Sequence, residues 1–376
     1  MRIAVVGLLH HPIAEPFAGG MESHTWWLTK KLTERGHQVT LFASGDSDPS
    51  LRLAPCIDRA FATNPRAQTV DGRQACNMVA YAKVVQTICQ GSFDVIHNNA
   101  LHPFLLLNAA DMPTPMLTVL HTPVYPELAV AVRYAAARNT SGKLSVVAVS
   151  KSLSLAWTSL IDSQVVYNGI DVDSWPVVDD RPKRSAFWYG RFVPEKAPHL
   201  AIQAALMAGY HIRVAGPISD QAYFDQQILP LLKDSRVEYL GHLSQAAIKR
   251  ALSQASVFVN TPLWEEPYGF VYAEALASGT PVATFSSGAA AEILTASCGV
   301  LAEERTVPAL AKAVVEAAEL SHENCRERAR AFCDIESMVD GYERLYRDLV
   351  RNQQGQRKPK KREGFTLANA MIGITG

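Results

Sequence analysis

Short apolar runs alternate with amphipathic segments along most of the chain. Residues 3–9 form the first apolar run, a Gly19-Gly20 turn follows, and residues 21–35 repeat apolar positions at helical spacing before a second apolar run at 39–43. Strands that alternate with helices in this way are typical of a parallel α/β architecture. The same pattern predicts further strands at residues 94–97, 116–120, 144–149 and 165–167.

The alternation is interrupted once, between residues 168 and 182, by a turn-rich and acidic segment that is typical of a linker. We therefore predict an N-terminal domain over residues 1–170, a linker over 171–184, and a C-terminal domain over 185–352 that ends in a helix. Residues 353–376 are predicted to be a disordered basic tail. The strands predicted for the second domain are 185–190, 211–215, 237–240, 257–260 and 281–285.

Charge and cysteine content exclude several classes of protein. The 36 Lys and Arg residues balance 36 Asp and Glu over 376 residues, which argues against a broadly basic nucleic-acid-binding surface. The balance is uneven, since five basic side chains and one glutamate give residues 357–363 a charge of +4 and leave −4 on the rest. Six scattered cysteines without a C-x-x-C pair indicate reduced thiols and a cytoplasmic location. The apolar runs are too short for a signal peptide or a membrane span.

The loop after the first strand lacks the nucleotide-binding glycine patterns. Neither G-x-G-x-x-G nor G-x-x-x-x-G-K-[ST] occurs there. The Gly19-Gly20 pair at the start of a predicted helix could still bring free amides to a phosphate, or it could be a plain tight turn. The residues alone leave both interpretations open.

Two glutamates in the second half, Glu266 and Glu274, are the most informative candidates. Glu266 lies at the entrance of a helix predicted over residues 268–278, where free backbone amides accumulate. Glu274 lies in an apolar stretch, where a carboxylate needs a partner. The pair could bind sugar hydroxyls and the vicinal diol of a ribose. Alternatively, Glu266 only complements the helix dipole while Glu274 pairs with a structural arginine.

A cationic loop follows the first strand of the second domain. Arg191 and Lys196 lie after residues 185–190, at the strand end where ligands of parallel sheets bind. A forked guanidinium and an ammonium suit a diphosphate. The alternative is a solvated loop in which Glu195 pairs with Lys196.

Six segments in order along residues 1–350 resemble the retaining glycosyltransferases of family 4, which have the GT-B fold. The most specific is the E-x7-E spacing from Glu266 to Glu274. Ala289, where the family often has a glycine, and Tyr268, where it often has Phe, depart from its pattern. The other matching segments are Gly19-Gly20-Met21-Glu22 with residues 35–39, residues 94–97, residues 166–171, and Gly190-Arg191 to Lys196.

The resemblance implies two Rossmann-like parallel-sheet domains that face each other across a cleft, with the C-terminal helix near the hinge. It implies a nucleotide-sugar donor bound mainly by the second domain, with Glu274 on the ribose, Glu266 beside the transferred sugar, and Arg191 and Lys196 on the diphosphate. The catalytic residues that it implies are Glu266, Arg191, Lys196 and His121. Its implied donor-binding residues are Gly19, Gly20, Gly190, Arg191, Lys196, Glu266, Gly269, Phe270, Val271 and Glu274.

We expect no metal and no cofactor beyond the nucleotide diphosphate sugar, which is a co-substrate, with a UDP-sugar favoured slightly over a GDP-sugar. Asp46-Ser47-Asp48 and Asp171-Val172-Asp173 spell the D-x-D of another glycosyltransferase fold, but both occur in turn-rich segments where Asp caps turns. Arg191 and Lys196 would then stabilise the leaving diphosphate without a metal. The alternatives are a nucleotide-sugar epimerase or phosphorylase of the same fold, or a non-catalytic nucleotide-sugar-binding protein.

The acceptor is expected to be a small molecule, a glycan or a lipid-linked sugar, with no role for nucleic acid. At 100° per residue, Met21, Thr25, Leu28 and Leu32 share one face of the first helix and should be buried. Trp26, Trp27 and Lys30 project to the opposite side. Exposed tryptophans beside a lysine could hold an acceptor or touch the inner face of a membrane, or they could pack on a neighbouring element.

Overall fold

The computed structural model describes residues 1–178 and 180–356, and the chain forms two compact units. Of the described residues, unit 1 contains Met1–Val149, Leu153–Val166 and residues 339–356, and unit 2 contains Ser150–Ser152 and the described part of Tyr167–Met338. Each unit is a parallel sheet with helices, so the α/β prediction is confirmed. No helix within the described ranges is long and apolar enough to cross a membrane.

Unit 1 is built on seven strands in the order β3-β2-β1-β4-β5-β6-β7, and every pair is parallel. The chain order reverses between β1 and β4, so the residues that follow these strands border the crevice where such sheets bind ligands. The strands are β1 Arg2–Val6, β2 Gln38–Ser44, β3 Leu53–Ile57, β4 Val95–Asn98, β5 Met116–Leu120, β6 Leu144–Ala148 and β7 Gln164–Val165, and the helices are α1 Gly20–Glu34, α2 Val70–Gln90, α3 Pro103–Asn108, α4 Pro126–Arg138 and α5 Lys151–Trp157.

Unit 2 repeats this topology with six strands in the order β10-β9-β8-β11-β12-β13, again parallel throughout. Its order reverses between β8 and β11. The strands are β8 Ser185–Tyr189, β9 His211–Ala215, β10 Val237–Tyr239, β11 Val257–Asn260, β12 Val282–Phe285 and β13 Gly299–Ala302. The helices are α6 Pro198–Met207, α7 Gln221–Tyr223, α8 Gln245–Ser253, α9 Phe270–Ala277, α10 Ala290–Ile293, α11 Val307–Ala317 and α12 His322–Phe332, followed by α13 Ile335–Gln356.

Both sheets are covered by helices, which explains why their central strands are almost continuously apolar. In β1 every residue from Ile3 to Val6 is buried, and all four residues of β11 are buried. The predicted strands 116–120, 211–215 and 257–260 match the observed bounds. Two strands were not predicted. β3 carries Pro55 and is only half-buried, which weakens its strand pattern, and β13 was missed although other strands of four residues were predicted.

The terminal helix differs from its predicted assignment. The sequence places it in the second domain, but its residues from Val339 group with unit 1. Tyr342 packs edge-on against His97 with ring centroids 4.8 Å apart, and Tyr346 bonds to the same imidazole. Residues 353–356 of the predicted tail continue α13, and residues 357–376 lie outside the described part of the chain.

Candidate active site

The charged side chains predicted for the donor site lie at the carboxyl ends of β8 and β11, the two strands between which unit 2 reverses its order. Gly190 and Arg191 follow β8 directly. The segment after β11 carries Glu266 and leads into α9. Because parallel strands end at the same edge of the sheet, these residues border one crevice.

Lys196 is carried by a tight turn before α6. Residues Pro194–Lys196 form one 3-10 turn, and Ala197 then adopts φ 44°, a left-handed conformation that is costly for a residue with a Cβ. The Thr261 hydroxyl lies 2.8 Å from the Lys196 carbonyl oxygen and 2.9 Å from that of Ala197. The end of β11 therefore holds the turn that presents Lys196.

Lys196 and Glu266 form a close ion pair. The Lys196 Nζ lies 2.6 Å from Glu266 Oε2, and the same oxygen accepts a hydrogen bond of 3.1 Å from Trp264 Nε1. The ammonium also lies 5.0 Å from the centre of the Trp264 ring, within cation–π range. Glu266 is only 8% exposed, so this pair is largely shielded from water. The alternative pairing of Lys196 with Glu195 is not observed.

The Glu266 backbone is fixed by the loop before α10. Ala289 N donates to the Glu266 carbonyl at 3.0 Å, and a Cβ on Gly288, which has φ +50°, would lie 2.1 Å from that oxygen. Ala289 has φ −79°, so alanine is unstrained where the family often has glycine. Glu265 accepts from Gly288 N at 2.6 Å and pairs with Arg305 at 3.0 Å, and the backbone bond from Gly288 lowers the pKa of its carboxyl.

Glu274 lies in the second turn of α9 with buried neighbours on both sides, Ala273 and Ala275. Burial raises the pKa of its carboxyl to about 8. The sequence predicts a partner for this group, yet within residues 1–178 and 180–356 no cation or hydrogen-bond donor contacts its carboxylate. Its hydrogen-bonding capacity is therefore available to a ligand.

Arg191 is a solvent-facing cation. Its side chain is 53% exposed, and its Nη2 lies 3.9 Å from Glu195 Oε1, a distance at which an exposed pair contributes little. The backbone beside it is tightly packed, because a Cβ on Gly216 would lie 1.8 Å from the Gly190 carbonyl oxygen. The backbone that carries the exposed guanidinium is therefore fixed.

The remaining predicted donor residues of unit 2 open α9. Gly269 precedes the helix with φ +84°, and a Cβ there would lie 2.5 Å from the Tyr272 ring, so both conformation and space favour glycine. Phe270 and Val271 form the first turn and are half-buried. Their backbone amides belong to the unpaired donors of a helix N-terminus.

In unit 1, Gly19 caps α1 in an extended conformation, φ −165°, and Gly20 begins the helix. Glu22 lies in the first turn, and its Oε2 would be 3.1 Å from a Cβ on Gly19. A buried carboxylate here complements the helix dipole. Phosphate binding by this loop stays a prediction.

His121 follows β5 and is 7% exposed. Its Nε2 lies 2.9 Å from Asn99 Oδ1, and its ring meets His24 edge-on at 4.8 Å between centroids. Burial lowers the pKa of His121 well below its usual value, and the neighbouring imidazoles His24 and His97 lower it further. The ring is therefore neutral at pH 7.

Sequence reasoning missed the surroundings of His121. His24 is fully buried, and neither ring nitrogen has a hydrogen-bond partner among the described residues. His97 and Asn99 join the same cluster from the end of β4. In the sequence, only the position of His97 pointed to this cluster. His97 ends the predicted strand 94–97, and the predicted strand 116–120, which precedes His121, ends at the same edge of the sheet.

Of the interpretations left open for Trp26, packing on a neighbouring element is the one observed. Trp26 is 9% exposed, because the loop after β2 covers it and Asp48 Oδ2 accepts a 2.6 Å hydrogen bond from its Nε1. Trp27 is half-buried, and Lys30 Nζ lies 4.7 Å and 5.2 Å from the centres of the Trp26 and Trp27 rings. The helical period gives the direction of a side chain but not what a distant loop places over it.

Both D-x-D segments have structural partners. Asp46 accepts from Ala60 N at 3.1 Å, and Asp48 bonds to Trp26 and to Ser50 N. Asp173 pairs with Arg326 at 3.2 Å, and with a second arginine. Across the described residues, no group of three or more His, Cys, Asp or Glu side chains has a geometry that could hold a metal ion.

Two family models cover consecutive parts of the chain. Residues 18–174 match the model described as Glycosyltransferase Family 4, and residues 173–332 match Glycosyl transferases group 1. The glycogen synthase of Mycobacterium tuberculosis (strain CDC 1551 / Oshkosh) is 25% identical over 411 aligned residues, which cover 96% of this chain and 97% of the relative. A phosphatidyl-myo-inositol mannosyltransferase of Mycolicibacterium smegmatis is 27% identical, with 75% of each chain covered.

Solved structures show the same fold. Sucrose-phosphate synthase from Thermosynechococcus elongatus aligns with a TM-score of 0.74 at 20% identity, covering 93% of this chain and 99% of that one. HepE from Anabaena, in complex with UDP and glucose, aligns with a TM-score of 0.70 at 20% identity, covering 92% and 99%. At these identities the structural likeness carries the fold alone.

Proposed function

Since the chain belongs to the family 4 glycosyltransferases of GT-B fold, we propose that it transfers a hexosyl-type sugar from a nucleoside diphosphate sugar to an acceptor hydroxyl with retention of configuration. The finer parts of this proposal are the donor, the stereochemistry and the residue roles. The arrangement at the carboxyl edge of unit 2 supports them.

The observation that carries the proposal is the unpaired carboxylate of Glu274. The Glu274 side chain is half-buried, and desolvation of its carboxyl group without a compensating partner raises its pKa to about 8. The two hydroxyls of a ribose diol are donors that a carboxylate can accept together. A nucleotide ribose is therefore the ligand that best matches this group.

Arg191 and Lys196 supply positive charge for the leaving diphosphate. Lys196 is already held by Glu266 at 2.6 Å, and Arg191 faces solvent beside Glu195. When the bond from the sugar C1 to the β-phosphate oxygen breaks, negative charge grows on that oxygen, and fixed cations stabilise it. The two side chains do this without a protein nucleophile.

Retention then follows from attack on the same face of the sugar. The acceptor oxygen forms its bond to C1 as the phosphate departs, and its proton passes to the departing β-phosphate oxygen, which leaves as the nucleoside diphosphate. Glu266, which takes its hydrogen bonds from Lys196 and Trp264, would orient the sugar hydroxyls. We assign His121 to the transferred sugar as well.

The choice of donor and acceptor extends the proposal. HepE, a structural neighbour, is bound to UDP, so a UDP-sugar is the first donor to test. The curated relatives are named for glycogen and for phosphatidyl-myo-inositol, which makes a glycan or a lipid-linked sugar the first acceptor to test. A cytoplasmic location, with contact to the inner face of a membrane, remains part of this proposal.

The test is to incubate the purified full chain with UDP-, GDP- and ADP-sugars and a set of glycan and lipid-linked acceptors. Release of nucleoside diphosphate together with acceptor-bound sugar, of the same anomeric configuration by NMR, supports transfer. Binding without turnover across the set would indicate a nucleotide-sugar-binding protein. Conversion of the sugar without an acceptor would indicate an epimerase, and sugar phosphate as the product would indicate a phosphorylase.

A further inference from the structure

A chain of hydrogen bonds connects α13 to His121 within unit 1. The hydroxyl of Tyr346 lies 2.6 Å from His97 Nδ1, and His97 Nε2 lies 3.0 Å from Asn99 Oδ1. The same oxygen lies 2.9 Å from His121 Nε2. Asn99 is fully buried, so water does not compete for these contacts.

With the Asn99 amide oriented in this way, the contacts imply where the protons are. A carboxamide oxygen only accepts hydrogen bonds, so Nε2 of both His97 and His121 must carry hydrogen. Each imidazole is neutral, because burial lowers the pKa of His97 to about 3 and that of His121 well below its usual value. A neutral imidazole has one N–H, so Nδ1 of each ring is a lone pair. In His97 that lone pair accepts from Tyr346.

The nitrogen of the Asn99 amide faces Thr25 in the structure. This nitrogen, Nδ2, donates to Thr25 Oγ1 at 3.2 Å, from the buried face of α1. Exchanging the amide nitrogen and oxygen would turn N–H groups toward both Nε2 atoms, which would then have to be lone pairs. The tautomers of the two imidazoles therefore report the orientation of the amide.

We propose that Asn99 is a positioning residue that keeps His121 in its Nε2–H tautomer, so that Nδ1 serves as a hydrogen-bond acceptor for a hydroxyl of the transferred sugar. The inference rests on the proposed function for the role of the sugar, and on the described contacts for the tautomer. Within the described chain, Nδ1 of His121 has no partner. The other tautomer would present an N–H there, which could donate to a hydroxyl oxygen but could not accept from the hydroxyl.

The first experiment needs no substitution in the cluster. Long-range 1H–15N spectra of 15N-histidine-labelled full chain at pH 7.5 distinguish the two tautomers and the imidazolium, and loss of one signal set in His121→Gln assigns it. The expected result is Nε2–H for both His97 and His121. An Nδ1–H ring or an imidazolium at His121 overturns the proposal, whether or not the protein transfers sugar.

The second experiment compares Asn99→Leu with Asn99→Asp. Leucine removes the acceptor, and it is expected to give a mixture of His121 tautomers and a kcat about tenfold lower, the size of one lost hydrogen bond, with the donor KM within twofold. Aspartate keeps an accepting oxygen and is expected to keep His121 Nε2 protonated. An unchanged His121 tautomer and kcat in Asn99→Leu, in a preparation whose wild type transfers sugar, overturns the proposal and leaves the proposed function standing.

A matched pair of tyrosines tests the outer part of the chain. Tyr346→Phe removes a hydroxyl that bonds to His97, whereas Tyr342→Phe removes one that has no partner in the described chain. Only the first is expected to move the His97 signals. Equal spectral changes in the two variants would overturn the connection between α13 and His121.

Discussion

The carboxyl edges of the two sheets have the same topology and opposite chemistry. In unit 2 the strands that flank the reversal of order are followed by charged side chains, with Lys196 and Glu266 joined at 2.6 Å. In unit 1, β4 and β5 bring neutral rings and an amide to this edge. His97, at the end of β4, and His121, after β5, share one oxygen of Asn99. One edge is built to meet an ionic ligand, and the other to hold uncharged donors and acceptors in fixed directions.

This difference shows that the strand order places a site but does not determine what the site binds. Both reversals of order provide a crevice, as parallel sheets do generally. The chemistry depends on a few residues after each strand. Substitutions at the two edges should therefore differ in their effects on turnover and on the pH dependence of stability.

Loss of a cation from the edge of unit 2 should have the largest effect. Lys196→Ala is expected to lower turnover at least 100-fold, since removing one preorganised stabiliser of developing charge typically costs about 10²–10³. Arg191→Ala is expected to cost at least about tenfold without changing stability, because its side chain is exposed. Nucleoside diphosphate release measures both, and Lys196→Arg and Arg191→Lys are the charge-preserving controls. Near-normal turnover in the alanine variants would contradict the site assignment.

Glu274 should link donor binding to stability at high pH. Its pKa is raised from 4.5 to about 8 on folding, so the folded state holds a proton that the unfolded state has lost, and stability falls as pH rises from 4.5 to 8. Glu274→Gln is therefore expected to gain melting temperature over the wild type between pH 6 and pH 8.5. Glu274→Ala is expected to cut turnover at least about tenfold, the loss of a charged hydrogen bond. A melting difference that does not depend on pH would show that the carboxyl is not desolvated.

At the edge of unit 1, the pH dependence of stability should have the opposite sign. Burial lowers the pKa of His24 from 6.5 to about 3, so the unfolded state binds the proton first and stability is lost as pH falls below 6.5. His24→Phe removes two unpaired ring nitrogens and is expected to raise the free energy of unfolding by about 1 kcal/mol at pH 7, and by more at pH 5. Urea denaturation at the two pH values checks this. A destabilised variant at pH 5 would mean that His24 has a partner in solution.

Metal removal should have the smallest effect. Asp46, Asp48 and Asp173 are committed to backbone, indole and guanidinium partners. Transfer is therefore expected to change less than twofold in excess EDTA, and Asp173→Asn is expected to leave turnover unaltered. A loss of activity in EDTA that Mg²⁺ or Mn²⁺ restores would contradict a metal-independent mechanism.

The sequence predicted the features that depend on local pattern. The buried strands and the spacing of Glu266 and Glu274 follow from periodicity and from residue types at strand ends. The linker predicted over residues 171–184 lies inside unit 2. Lys196 and Glu266 were both predicted as site residues, on the same grounds. Their placement at one sheet edge follows from the topology of parallel strands.

What could not be predicted depends on contacts between distant parts of the chain. Lys196 and Glu266 are 70 residues apart, and nothing in either segment indicates that they pair. Trp26 is covered by the loop after β2, and its partner in that loop, Asp48, is 22 residues further along the chain. Asn99 has no pattern of its own, and its role depends on two histidines from two strand ends and a tyrosine of α13. Each of these contacts depends on three-dimensional packing and not on the periodicity of apolar residues.

The pairing of Lys196 with Glu266 has a consequence for the end of the catalytic cycle. Under the proposed function, a diphosphate that binds here competes with a carboxylate already 2.6 Å from the ammonium. The gain on binding is the Lys196–diphosphate interaction minus the Lys196–Glu266 interaction that it replaces. The affinity for the nucleoside diphosphate product is therefore reduced. Glu266 can pair with Lys196 again as the nucleoside diphosphate dissociates. Product inhibition should therefore be weaker than a lysine without a competing carboxylate would give, which favours turnover in a cell rich in nucleoside diphosphates.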